Sequence, residues 1–497
     1  MDPIKLVRSF GLLVLLASAF GHAQTSANGT QVEELRKQLN ELRKQMSVIE
    51  SKLDAMETSS ANAPATPPPA TPAATVPPEE STVQTVQAMP TGPVSGQIGE
   101  QTRDYRTFSE DPLAAARLNN IPVDPKYHGF FFLPGTRTMM KIGGYAKSDF
   151  IYDLKPAGNT DEFIPATIPI PAPAGVNNAT ISIRPTRLTL DFVIPASKFG
   201  DVRFYFEGDL FGTNATTPRL RHAYGQANNF LLGQTFTNFM DPDAFPDTLD
   251  FEGPNSMVNI RNPQFRYGFG LGKDGSFYVS VEKPSSDVSF TTPNFSSEPS
   301  APSPDGALRF RQEFPAGHFQ VSSIFRSVGA AVGTGTNTKT DFVFAWGINA
   351  AGAVKTFGKD NLIAEGTYGH GIARYLQDTS GLGIDAAVIS VDDPHLRATP
   401  EVGVFGAYQH YWTKSVRSSV VYGFAQVENT DFQPGSTYHK SDYSAANLIW
   451  NPIGSFNVGA EFLYGWQVLK DGQSGNAPRI QFSAKYNFVN LGPSPKK

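Results

Sequence analysis

The feature that most constrains this chain is a period-two pattern that returns about sixteen times between residues 140 and 488. Its last instance is Arg479 to Phe488. There Ile480, Phe482, Ala484, Tyr486 and Phe488 fall on one face, and Arg479, Gln481, Ser483, Lys485 and Asn487 on the other. Side chains of a strand alternate between faces, so each segment is a strand with one apolar and one wet face. A single such strand would fit a soluble sandwich equally well. The strands are expected near 140–153, 180–194, 202–210, 219–225, 230–238, 257–269, 276–283, 307–314, 318–328, 341–353, 362–370, 400–411, 416–427, 442–450, 456–467 and 478–488. Short turns (195–201, 226–229, 270–275, 315–317, 357–361, 412–415, 451–455) alternate with connections that are mostly long, such as 154–179, 284–306 and 371–399. The expected fold class is therefore an all-β transmembrane barrel of about 16 antiparallel strands, with lipid outside, water inside and both barrel ends in the periplasm.

Composition narrows the alternatives. The chain has no cysteine, which excludes disulfide frameworks, thiol catalysis and cysteine-ligated metals. Its net charge of −5 gives no reason to expect a nucleic-acid partner. Beyond the first twenty residues no apolar run reaches the roughly eighteen residues of a spanning helix. No GxSxG or HExxH occurs, so no catalytic residues, metal ligands or cofactor are expected, and the chain reads as a non-enzyme.

The N-terminal part reads as a series of modules. Residues 1–23 resemble an export signal: Lys5 and Arg8, an apolar run from Phe10 to Phe20, and the small-x-small site Gly21-His22-Ala23. Residues 24–60 hold a heptad repeat, with Val32, Leu39, Met46 and Leu53 in one seam position and Leu35, Leu42, Ile49 and Met56 in the other. That spacing predicts an α-helical coiled coil, hence an oligomer, over a lone amphipathic helix. Residues 61–110 form a Pro/Ala-rich linker, and 111–139 a short helix and lead-in segment. The barrel follows at 140–488, with a tail at 489–497.

Several runs resemble the DcaP-like trimeric porins of Gram-negative outer membranes. They are Gly129-Phe130-Phe131-Phe132-Leu133-Pro134-Gly135-Thr136, Lys141 to Asp149, Arg219-Leu220-Arg221-His222-Ala223-Tyr224, Leu232-Gly233-Gln234-Thr235, Asn447 to Pro452 and Gly459 to Gly465. The resemblance implies a homotrimer of sixteen-stranded barrels in the outer membrane, in contact with lipid and lipopolysaccharide, passing small organic anions such as dicarboxylates. It also implies a terminal aromatic residue; here Val489 to Lys497 follow Phe488.

Alternation assigns the pore lining. Val202, Phe204 and Phe206 oppose Arg203, Tyr205, Glu207 and Asp209. A charge facing lipid near the midplane costs about 2–4 kcal/mol, so the charged set faces the lumen. The same test places Arg187 and Asp191 inside, with Arg219, Arg221, Arg266, Arg309, Arg311, Arg326 and Arg479; Arg184 is out of phase, and Pro185 suggests a bulge. These arginines are either a ladder for carboxylate solutes or wall braces paired with Glu207, Asp209, Asp191 or Glu365. In porins the third long connection folds inward as a constriction. Here it carries Asp241, Asp243, Asp247, Asp250 and Glu252; the four aspartates are expected to oppose wall arginines in a transverse field, with calcium binding by the acidic cluster as the alternative. The function expected is passive diffusion of small anionic solutes. A general or sugar-type porin and a structural envelope-spacing barrel are the alternatives.

Overall fold

The structure, a computed structural model, describes residues 130–488 apart from 174, 198–199, 214–215, 290, 293–294, 335–336 and 391–394. The signal, coiled coil, linker, short helix and C-terminal tail expected from sequence lie outside the described residues.

Sixteen long strands form one antiparallel sheet. They are β1 (Met139–Asp153), β2 (Asn178–Ser182 continued by Arg187–Ser197), β3 (Gly200–Asp209), β4 (Arg219–Ala227), β5 (Phe230–Phe236) and β6 (Arg261–Leu271). Next come β7 (Gly275–Glu282), β8 (Asp305–Phe314), β9 (Gly317–Thr334), β10 (Asn337–Lys355) and β11 (Asn361–His370). The last five are β12 (Pro400–Tyr411), β13 (Val416–Val427), β14 (Tyr438–Ile453), β15 (Phe456–Leu469) and β16 (Ser474–Asn487). Each pairs with its sequence neighbours, and β1 pairs with β16 from Tyr145↔Asn487 to Asp153↔Arg479. The sheet is therefore closed, which leaves no open edge in the hydrocarbon.

Alternation survives in the burial pattern. In β3, Arg203, Tyr205, Glu207 and Asp209 are buried, while Phe204 and Phe206 are exposed. In β16, Arg479, Gln481 and Ser483 are buried, while Phe482 and Tyr486 are exposed. The exposed set continues around the barrel through Leu188, Leu220, Leu232, Phe265, Val281, Phe344, Leu362, Val404, Tyr422 and Phe462, an apolar band suited to lipid.

Two irregularities re-aim side chains. β2 is interrupted at Ile183–Thr186, so Ser182 and Arg187, one even-numbered and one odd, both face inward. Pro185 sits in that break, and Arg184 leaves the sheet to donate to Asp161 at 2.9 Å. In β4, Glu207 pairs with His222 and Gly208 with Leu220, so Arg221 is an extra residue. That bulge buries both Arg221 and His222 inside.

Seven short turns gather at one end, and the connections at the other are mostly longer, 470–473 and the link from Thr334 to Asn337 excepted. β9 and β10, 18 and 19 residues long, pair from Gly317↔Val354 to Thr334↔Asn337.

Candidate functional site

The connection 237–260 between β5 and β6, the third long one, lies in the interior. After Thr237 it enters the lumen and runs along the β8–β16 side. Ser322 Oγ and Gln320 Nε2 donate to the carbonyls of Phe239 and Met240. Val258 N–H donates to Glu365 at 2.7 Å, and the Leu249 and Asp250 N–H groups donate to Glu461 at 2.9 and 2.7 Å. Asn255 donates to Ser441 Oγ at 2.8 Å, and Ser256 Oγ to the Val404 carbonyl at 2.9 Å. Buried wall carboxylates thus accept the loop's backbone N–H groups, which would otherwise be orphaned in the lumen. Glycines make room for it. A Cβ on Gly423 would lie 2.5 Å from Asn255 Oδ1, and one on Gly403 would lie 2.9 Å from the Ser256 carbonyl oxygen.

The loop aspartates do not oppose the wall arginines across water, as the sequence reading anticipated for Asp241, Asp243, Asp247 and Asp250. They clasp the wall they lie on. Arg311 contacts Asp241 at 3.0 Å, Asp243 at 2.8 Å and Glu313 at 2.7 Å, while His318 reaches Asp241 at 2.8 Å. Burial alone would raise the Asp241 carboxyl, but His318 and Arg311 hold it well below the usual carboxylate range. Asp247 accepts from Arg417 at 2.5 Å and Gln409 at 2.9 Å. Asp250 accepts from the N–H groups of Phe163 and Gly253. Among the described residues no cluster of three metal-ligating side chains occurs.

Most of the remaining arginines line β2–β6 in two groups, with Arg309 of β8 beside the first. Towards the turns, Arg203 makes a bidentate pair with Asp191, both bonds 2.8 Å. Arg266 donates to Gln264 and to the Phe236 carbonyl. Arg309 lies 4.0 Å over Tyr278. Level with the loop, Arg219 binds Asp209 at 3.0 and 2.8 Å, Arg221 bridges Glu207 at 2.7 Å and Asp209 at 2.9 Å, and Arg187 is 3.4 Å from Glu207. Arg326 and Arg479 stand elsewhere, Arg326 on Asp305 and Asp385 and Arg479 on Asp153.

Sequence reasoning passed over several residues here. Arg261 opens β6 out of phase with the buried run Asn262, Gln264 and Arg266, so alternation gave it no face. It lies 5.4 Å over Phe236, and its Nη1 is buried with no hydrogen-bond partner. It has no carboxylate at ion-pair distance among the described residues. Glu162, on the connection 154–177, lies close enough to Glu252 of the constriction loop for its charge to oppose ionisation there. Burial, then Glu162 and Asp250, push Glu252 well above its ordinary range against the pull of Arg219 and Arg261. Burial raises Glu162 as well, against Arg219. The loop element that faces the arginine group is therefore this carboxyl pair. Only tertiary contact could reveal it, since the two residues lie 90 positions apart.

A closed sixteen-stranded barrel, apolar outside and charged inside with its third connection folded into the lumen, is a porin architecture. The sequence model of the DcaP outer membrane protein family matches residues 133–488. The chain belongs to that family. This DcaP-family barrel is accordingly an outer-membrane channel of the porin type, in a Gram-negative cell envelope. Among solved structures, the outer membrane channel DcaP of Acinetobacter baumannii is similar at 23% identity and TM-score 0.63, covering 72% of this chain and 99% of that one. OmpT of Vibrio cholerae shares 12% identity at TM-score 0.45, covering 72% and 99%. OmpF of Salmonella typhi, in complex with daunomycin, shares 10% at TM-score 0.45, covering 72% and 100%. No curated protein sequence matches the chain.

Proposed function

We propose that this porin passes small anionic organic solutes, dicarboxylates among them, by passive diffusion between its constriction loop and the β2–β6 wall. The observation that carries the reading is the group Arg187, Arg219, Arg221 and Arg261 at the level of the loop. Among the described residues, Glu207 and Asp209 are in ion-pair contact with it. Four cations against two anions leave an excess of positive charge, and guanidiniums offer a carboxylate a planar fork. Glu162 and Glu252, which also feel Arg219 and Arg261, resist ionisation because they are buried, so they neutralise the group only in part. The working unit is a homotrimer after removal of residues 1–23. Residues 31–57 assemble it in the periplasm through the linker, and its outer band meets lipid and lipopolysaccharide.

Reversal potentials in planar bilayers under a salt gradient test this. The wild-type channel should prefer anions, and R219Q/R261Q should weaken that preference. A cation-preferring or non-conducting wild-type channel overturns the reading. Arg203 is the wrong probe for selectivity, because it is buried against Asp191 and its loss would test the wall instead.

A further inference from the structure

Phe251, near the end of the constriction loop, stacks on Phe211 of the connection 210–218, with ring centroids 4.4 Å apart and planes 18° from parallel. Four guanidiniums surround this pair. Arg184 lies 4.6 Å and Arg219 5.0 Å from the Phe211 centroid, and Arg221 lies 5.3 Å and Arg187 5.5 Å from that of Phe251. The four come from different places: the β2 break, β2 itself, the start of β4 and the β4 bulge. The stack is the element that all four share.

A ring face attracts a cation through its quadrupole and consumes none of its N–H groups. An ion pair does the reverse, since a carboxylate takes the fork that a solute would need. Without the rings, Arg219 and Arg221 would be held by Glu207 and Asp209 alone, and mutual repulsion would spread the remaining cations. We propose that Phe211 and Phe251 are positioning residues for selectivity. Their stack ties the constriction loop to the arginine wall and holds several guanidiniums at one level against their mutual repulsion. This rests on the anion-channel reading above, and it adds that aromatic side chains, which carry no charge, set the strength of that selectivity.

The test uses full-length channels carrying F251L, F251Y, F211L or F211Y. Reversal potential in a salt gradient is read beside single-channel conductance and heat-resistant barrel mobility on gels. Each leucine variant removes a π-face while keeping much of the volume, and should change the anion-to-cation permeability ratio roughly two- to fivefold, the weight of one or two cation–π contacts. The tyrosine variants should stay near wild type. Leucine variants with unchanged ratios and intact barrels overturn the proposal. So do tyrosine variants that fall as far as leucine, because the π-face would then be irrelevant. Should F251L fail to form a heat-resistant barrel, F211L decides by the same ratio. A wild-type channel that prefers cations sinks the anion reading, and the stack is then judged by whether its loss moves the reversal potential at all.

Discussion

The wall formed by β2–β6 and the wall formed by β11–β16 are built by the same alternation, yet they satisfy their inward charges in opposite ways. On the first, Arg187, Arg219 and Arg221 meet Glu207 and Asp209 side chain to side chain, with aromatic faces between them. On the second, Glu365 and Glu461 accept backbone N–H groups of the constriction loop. The loop's backbone is therefore held by one wall, while its Phe251 ring reaches the other. The difference teaches that position along the circumference, more than the residue type at an inward site, decides whether a charge pairs with a neighbouring side chain or grips the loop's backbone.

The comparison breaks most sharply at Arg221. Arg221→Ala removes one of two arginine partners from each of the buried Glu207 and Asp209; losing the only partner of a buried charge costs about 3–5 kcal/mol, and the loss here should approach the lower end of that range. Thermal unfolding in detergent should fall strongly; an unchanged transition would mean these carboxylates are solvated. Next, Glu461→Ala removes the acceptor of the Leu249 and Asp250 N–H groups, at about 1–3 kcal/mol for each buried donor stranded. Its signature should be noisier single-channel current and faster amide exchange at those two residues, with the anion preference kept. Loss of selectivity without loosening would contradict the division between the walls.

Gly423→Ala is gentler. The new Cβ meets Asn255 Oδ1 at 2.5 Å and Pro254 Cβ at 3.2 Å, so the loop must shift towards the arginine wall. Overpacking of this kind costs about 1–3 kcal/mol, and single-channel conductance should drop modestly. An unchanged conductance would show that the loop is not seated there.

The smallest effect concerns pH. Glu162 and Glu252 hold their protons to higher pH in the folded state than at the ordinary glutamate value of 4.5. Between these limits the unfolded state binds fewer protons, so their contribution to stability declines as pH rises from about 4.5 through the raised values. Protonation also removes negative charge opposite Arg219 and Arg261. Anion preference should therefore strengthen as pH falls through that window, and Glu252→Gln should flatten the dependence. A preference that strengthens with rising pH would reverse the assignment.

The barrel was legible because lipid enforces a rule on every strand, and the rule is local. A charge cannot face hydrocarbon, so Arg203, Glu207 and Asp209 reveal their face by their neighbours alone. Even the β2 break could be read, since Pro185 cannot donate to a ladder and separates two arginines in opposite phase. The bulge that turns Arg221 and His222 to the same side left no such mark, and Arg261 lies where a strand begins and phase is undefined.

By itself, then, the sequence determined a sixteen-stranded wall, its inward and outward faces, and the connection that would enter the lumen. Tertiary structure alone decided which carboxylates grip that loop, which arginines gather at Phe211 and Phe251, and that Glu162 meets Glu252. The first set follows from a solvent boundary that each residue meets separately. The second depends on where a loop comes to rest across the barrel, a balance of backbone donors, buried acceptors and ring faces drawn from strands far apart in the chain.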